Sequence, residues 1–362
     1  MSDRIHVGTR KGLVSVSRTS SGWQVDGLTM RAIPITAILD RGAGADLVVG
    51  ASHGHFGPKL HATADGGATL RDLAVPEHPA DAGMDPNRQE ARPSSTEMIW
   101  SLAATSDGTW WCGTMPGGLF SSRDEGASWQ LCQALWDEPG RAEWMGGGYD
   151  HPAIHSIEVD PRGPERLVVA VSCGGTWRTE DGGATWEVSQ GMRAPFMPPE
   201  RVEDPVVQDP HRVVRSAADP DVLWCQQHFG IYRSTDDART WQEITDVAPS
   251  TFGFAVATHP HDPDTAWFVP ATADQERIPV DGRMVVTRTR DGGRTFEQLR
   301  TGLPQAGCWD LVYRHALAVD GTGERLAMGS TTGNLWVSED GGDTWDHVSA
   351  HLPPVAVVQF SA

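Results

Sequence analysis

The chain has 362 residues, 39% of them hydrophobic, with 48 Asp and Glu against 29 Lys and Arg. The resulting formal charge of −19 argues against nucleic acid and anionic membranes as partners. No apolar run reaches the roughly 20 residues of a membrane-spanning helix.

Met1-Ser2-Asp3-Arg4 enters a strand with no signal-peptide pattern before it, so a cytoplasmic location is expected. The five cysteines, Cys112, Cys132, Cys173, Cys225 and Cys308, are odd in number and scattered, which reads as buried reduced thiols. Ile5 to Gly8, Gly12 to Val16 and Trp23 to Val25 read as three short strands. A turn rich in Asp and Gly then appears as Thr63-x-Asp65-x-Gly67-x-Thr69-Leu70, and it recurs. The later copies are Ser122-x-Asp124-x-Gly126-x-Ser128-Trp129, Thr179-x-Asp181-x-Gly183-x-Thr185-Trp186 and Ser234-x-Asp236-x-Ala238-x-Thr240-Trp241. Thr289-x-Asp291-x-Gly293-x-Thr295-Phe296 and Ser338-x-Asp340-x-Gly342-x-Thr344-Trp345 complete the set.

The turn has a physical reading. The Asp carboxylate accepts from backbone N–H groups just downstream, Gly supplies positive φ, and the Ser or Thr hydroxyl adds local bonds. The Trp is expected to cover its own hairpin. A catalytic role for the repeated aspartates is not expected. Successive aspartates lie 59, 57, 55, 55 and 49 residues apart, which suits a four-stranded propeller blade. The N-terminal unit lacks a first strand, and the run Val355 to Phe360 is left over at the other end. The reading is an all-β, seven-bladed propeller over residues 1–362 as one domain, closed when the last strand completes the first blade. Closure leaves no unpaired sheet edge.

With the strands of a blade lettered a to d from channel to rim, c–d and a–b turns share one face. The d–a and b–c loops share the other. The repeated turns are c–d turns, joined on their face by Asp160-Pro161, Asp219-Pro220 and Asp262-Pro263. The long segments Val75 to Thr96, Ala134 to Ile154, Ser189 to Pro210 and Ala271 to Arg283 all fall on the opposite face, where function is expected.

On that face His55, His155, His211 and His228 are expected to point toward the channel mouth, with His155 as a candidate catalytic group. Converging imidazoles suit a divalent transition metal, with Glu97 as a further candidate catalytic group or ligand. The bland reading is a set of hydrogen-bonded histidines plugging the channel. Trp309 to His315 reads as strand a of the seventh blade. Its Arg314 is a candidate catalytic group, and Arg215, Gln227, Trp309 and Tyr149 are candidate ligand contacts. Either arginine could meet an anionic ligand, or pair with a channel carboxylate such as Glu97 or Asp310.

The repeated turn resembles the Asp box, or BNR repeat, of sialidases and their relatives. His55-Phe56-Gly57-Pro58, Gln227 to Ser234 and Phe252-Gly253-Phe254 are similar to phrases of a bacterial family of seven-bladed, sialidase-like propellers. Retaining sialidases require a Tyr–Glu nucleophile pair, an acid/base Asp and three arginines. This chain has only Tyr149, Tyr232 and Tyr313, and Arg31-Ala32-Ile33-Pro34 stands where Arg-Ile-Pro is usual. Classical sialidase activity is therefore not expected. Xyloglucan-cleaving relatives pair two propellers around a cleft, and one propeller implies no such cleft.

Two expectations follow. One is a small-ligand site doing hydrolase or lyase chemistry on a sugar-like or carboxylated molecule, possible metal assistance included, in a monomer or homo-oligomer. The other is a noncatalytic binding or assembly propeller, as in the Asp-box proteins that help assemble photosystem II.

Overall fold

Short runs of β-branched and aromatic residues, cut every few positions by Gly, Asp and Pro, cannot extend into helices and pair as hairpins instead. In the computed structural model, which describes residues 1–42, 46–78 and 95–361, 28 strands form seven four-stranded antiparallel sheets. Residues 79–94 of the long Val75 to Thr96 segment lie outside the described residues. The innermost strands are Val355–Phe360, Ile35–Leu39, Met98–Ala104, Ile154–Val159, Pro210–Arg215, Gly253–His259 and Leu317–Val319. The fold is a seven-bladed β-propeller.

Closure is as expected from the strand count. Val355–Phe360 pairs antiparallel with Arg4–Thr9, from Ile5 opposite Phe360 to Thr9 opposite Val355. Gly8 permits the close approach: a Cβ there would lie 2.4 Å from Val357 Cγ1. The seventh blade corrects the sequence reading. Its inner strand is Leu317–Val319, and the preceding residues from Trp309 form an irregular entry segment, with His315 bridged to Val357. Arg314 thus sits ahead of the strand, on the long-loop side.

All six repeated turns share one bonding scheme. The Asp Oδ1 accepts from a backbone N–H four residues on, at 2.8–2.9 Å. Its Oδ2 accepts from the Ser or Thr hydroxyl of that same residue at 2.6–2.7 Å. These bonds consume the carboxylates, so the turns are structural. The Trp does more than cover its own hairpin. Trp129 Nε1 donates to Ala74 O at 2.9 Å and Trp241 Nε1 to Thr176 Oγ1 at 3.0 Å, both on the preceding blade. Backbone bridges Gln190 to Thr240 and Thr301 to Thr344 follow the same path. Each such turn therefore stitches its blade to the one before it.

The core lies between blades rather than inside one layer. Second strands such as Leu167–Val171 are buried along their whole length because neighbouring blades cover both faces. Trp110, Trp177, Trp224, Trp267 and Trp336 fill these interfaces. All five cysteines are free thiols.

Candidate ligand site at the channel mouth

The d–a and b–c loops converge at one end of the channel and enclose a cavity of about 630 Å³. Its walls come from loops of several blades and include Arg10, Trp100, Tyr149, Arg277, Tyr313 and Arg314. None of its described lining residues is acidic, in a chain of charge −19. Trp100 and His315 form its floor, since both also line the channel interior beneath.

Arg314 is the unusual member. It is buried, and its guanidinium carbon lies over the Trp100 ring at 5.2 Å and the Phe254 ring at 5.4 Å. Its Nε lacks a hydrogen-bond partner, and among the described residues Arg314 enters no ion pair. Burial pushes its pKa down, opposed in part by the charge of Asp209. Arg277, in contrast, is tied to Asp274 at 2.5 Å. Neither Glu97 nor Asp310 pairs with Arg314. Glu97 lies 3.9 Å from His151, and the Asp310 carboxylate is held by Ser330 and Asn334.

The histidines separate. Among the described residues, one set of His, Cys, Asp or Glu side chains brings three ligating atoms within 4.8 Å of one another: Asp209, His211 and His228. His228 Nδ1 lies 3.1 Å and His211 Nε2 3.6 Å from Asp209 Oδ2. His211 Nδ1 is 2.7 Å from Gly253 O. Burial lowers the His211 pKa and keeps the ring neutral. Burial acts to raise Asp209, but contacts with His211 and His228 and the charge of Arg314 outweigh it and hold the carboxyl well below the usual range. The cluster adjoins the cavity: a Cβ on the lining residue Gly147 would stand 3.2 Å from Asp209 Oδ1. Phe254 links the two, stacked on His211 with centroids 4.4 Å apart and lying under Arg314.

His155 and His55 do not join this set. His155 is fully buried, with Nε2 at 2.7 Å from Pro210 O and Nδ1 at 3.0 Å from Ser156 Oγ. Both ring nitrogens are spent on the scaffold, as the plugging alternative expects, and burial keeps the ring neutral. His55 sits on a one-turn 3-10 helix, Gly54–Phe56, which turns it outward into solvent.

Arg215 is on the other face. It ends its strand there and binds Asp237 at 2.7 Å, within a buried network that includes Arg166, Arg178 and Asp160. Gln227 spends its amide on backbone, donating to Arg193 O at 3.1 Å and accepting from Phe229 N–H at 2.6 Å. Trp309 is 63% exposed and is not one of the cavity walls. Tyr149 is one, packed edge-on to Trp100 at 5.1 Å.

Asp209, Trp100 and His315 carry no local sequence signal that marks them for a site. Asp209 stands between Gln208 and Pro210 and reads as a turn residue. His315 is a half-buried imidazole beside Arg314 whose buried Nε2 has no hydrogen-bond partner, and desolvation holds its pKa well below the usual value.

No known family profile matches the chain, and no curated protein matches it. Solved structures of the same architecture do. A GH74 xyloglucanase from Xanthomonas campestris aligns with a TM-score of 0.64 at 16% identity, covering 100% of this chain and 53% of that one. The chain thus spans about half the length of the xyloglucanase. YCF48 bound to a D1 peptide aligns with a TM-score of 0.56 at 16% identity, covering 92% of this chain and 89% of that one. A protein from Lactobacillus plantarum aligns with a TM-score of 0.61 at 12% identity, covering 99% of both chains. At these identities the likeness is one of fold.

Proposed function

We propose that the chain is a sialidase-like BNR/Asp-box propeller whose channel mouth binds a small carboxylated, sugar-like molecule and acts on it as a hydrolase or lyase. The observation that carries this reading is Arg314, a buried guanidinium that enters no ion pair among the described residues, in a cavity whose described lining carries no acid. Burying an unpaired charge is costly, and a carboxylate entering the cavity removes that cost by a two-pronged hydrogen bond. Tyr149, 46% exposed at the cavity wall, offers its ring to a sugar.

His315 supplies the chemistry in this reading. Its Nε2 has no hydrogen-bond partner and the residue lines the same cavity, and a carboxylate bound there would offset the desolvation and the Arg212 and Arg314 charges that oppose its taking a proton. Neutralising the substrate carboxylate on Arg314 acidifies the adjacent C–H, which a lyase requires. The same imidazole would activate water in a hydrolase.

The test is calorimetric titration of the whole chain with glucuronate, its methyl ester and glucose. Glucuronate is expected to bind at least tenfold tighter than either neutral probe, and Arg314→Met is expected to erase the difference. Equal binding of acid and ester, or a preference that survives Arg314→Met, overturns the reading.

A second reading rests on a separate observation. Phe56, Phe196 and Trp309 are 78, 51 and 63% exposed on three loops of the mouth face, which suits a noncatalytic docking surface. Triple replacement by Ser leaves glucuronate binding intact in the first reading.

A further inference from the structure

The Asp209–His211–His228 cluster contains a conflict that hydrogen bonding alone does not resolve. His211 Nδ1 is 2.7 Å from Gly253 O, so this nitrogen carries the proton and donates. In the neutral ring Nε2 is then an acceptor. It faces a second acceptor, Asp209 Oδ2, at 3.6 Å. Two lone pairs at that separation, both buried, repel unless a proton or a cation lies between them.

We infer that Asp209, His211 and His228 form a binding site for a divalent transition-metal ion. The geometry fits. Two ligands about 2.1 Å from one ion stand about 3.0 Å apart at a right angle and about 3.4 Å apart at the tetrahedral angle. Asp209 Oδ2 is 3.1 Å from His228 Nδ1 and 3.6 Å from His211 Nε2. Two imidazoles and one carboxylate suit zinc or iron(II). The supporting contacts are also present. Gly253 O fixes the His211 tautomer, and the Cys173 backbone N–H donates to Asp209 Oδ1 at 3.2 Å. Asp274 Oδ2 lies 4.0 Å from His228 Nε2 and offers a further carboxylate on that side.

The ion would lie behind Gly147, where the absence of a side chain opens the cluster toward the cavity. A bound divalent ion there supplies a Lewis acid or a water of lowered pKa to the molecule held by Arg314. The substrate in that statement rests on the mouth-site reading; the ion does not.

The experiment is titration of the chelator-stripped full chain with Zn²⁺ alone, followed by Co²⁺ and its visible absorption. One equivalent is expected to bind. His228→Ala and Asp209→Asn are each expected to weaken Zn²⁺ at least tenfold, while His347→Ala, on an outer strand, leaves it unchanged. Should Asp209→Asn fail to fold, the half-buried His228→Ala and the Co²⁺ spectrum of the parent still decide. No stoichiometric binding by the parent, or binding indifferent to His228→Ala, overturns the inference. No organic ligand is present in this titration. Its failure is therefore distinct from failure of the Arg314 reading, which glucuronate binding to the metal-free chain measures.

Discussion

Deleting residues 355–362 removes the strand that closes the ring. Val355, Val357, Val358 and Phe360 are each only 3–5% exposed. Burying one such side chain is worth about 1.5–3 kcal/mol, so the four contribute about 6–12 kcal/mol as an upper bound. That matches the whole stability of a typical folded chain, about 5–15 kcal/mol. The deletion also exposes the backbone edge of Arg4–Thr9, an apolar strand primed for aggregation. The expected outcome is loss of the cooperative calorimetric transition and a shift to large species on size exclusion. Phe360→Ala is the milder form, removing a ring packed edge-on to Trp23 at 6.2 Å. It is expected to cost about 3–5 kcal/mol with the native fold retained. A truncated monomer melting within a few degrees of the parent would refute the role given to this strand.

The turns on the opposite face should matter for stability alone. Asp181→Ala removes three exposed or half-buried hydrogen bonds. It is expected to cost about 1–2 kcal/mol in urea unfolding, with glucuronate binding unchanged in the folded fraction. Hydrogen bonds from Thr69, Thr185 and Thr295 hold Asp65, Asp181 and Asp291 down to about 2, against 3.8 for the free group. A folded pKa below the unfolded one means this contribution is complete above 3.8 and is lost as pH falls through 2. The urea midpoint should therefore decline below about pH 4, and less steeply in the triple Asp→Asn variant; identical slopes would contradict it. Arg215→Met breaks a buried ion pair while Asp237 keeps Arg166 and Arg178, so a cost of about 3 kcal/mol is expected. Mouth-site binding should not change, and a loss there would relocate the site.

Fold and site differ in how far they can be read from residues. The repeated Asp turns are legible because their chemistry is local. Side chain, acceptor and donor all lie within a few residues, as Thr179, Asp181 and Thr185 show. Closure is legible because one unit lacks a strand and one strand lacks a unit. Strand topology also places His211 and His228 on the mouth face. It does not give side-chain direction, which is why His55, turned outward by its 3-10 helix, and His155, spent on Pro210 O, part from them. Strand direction alone places Arg215: it ends an inner strand that begins at the mouth, and so finishes on the opposite face. Asp209 was hidden because a single Asp before Pro looks like a turn. Only packing of two blades against Gly147 shows its carboxylate beside the cavity. The Arg314 environment is equally non-local, since Trp100 and Phe254 come from the third and sixth blades.

The most direct measurement is a crystal of the full chain soaked with glucuronate. The account predicts the sugar in the mouth cavity, with both carboxylate oxygens within about 3 Å of the Arg314 guanidinium and the ring against Tyr149. Density for the sugar elsewhere on the propeller, or an Arg314 left without an anion while the ligand binds, would contradict it.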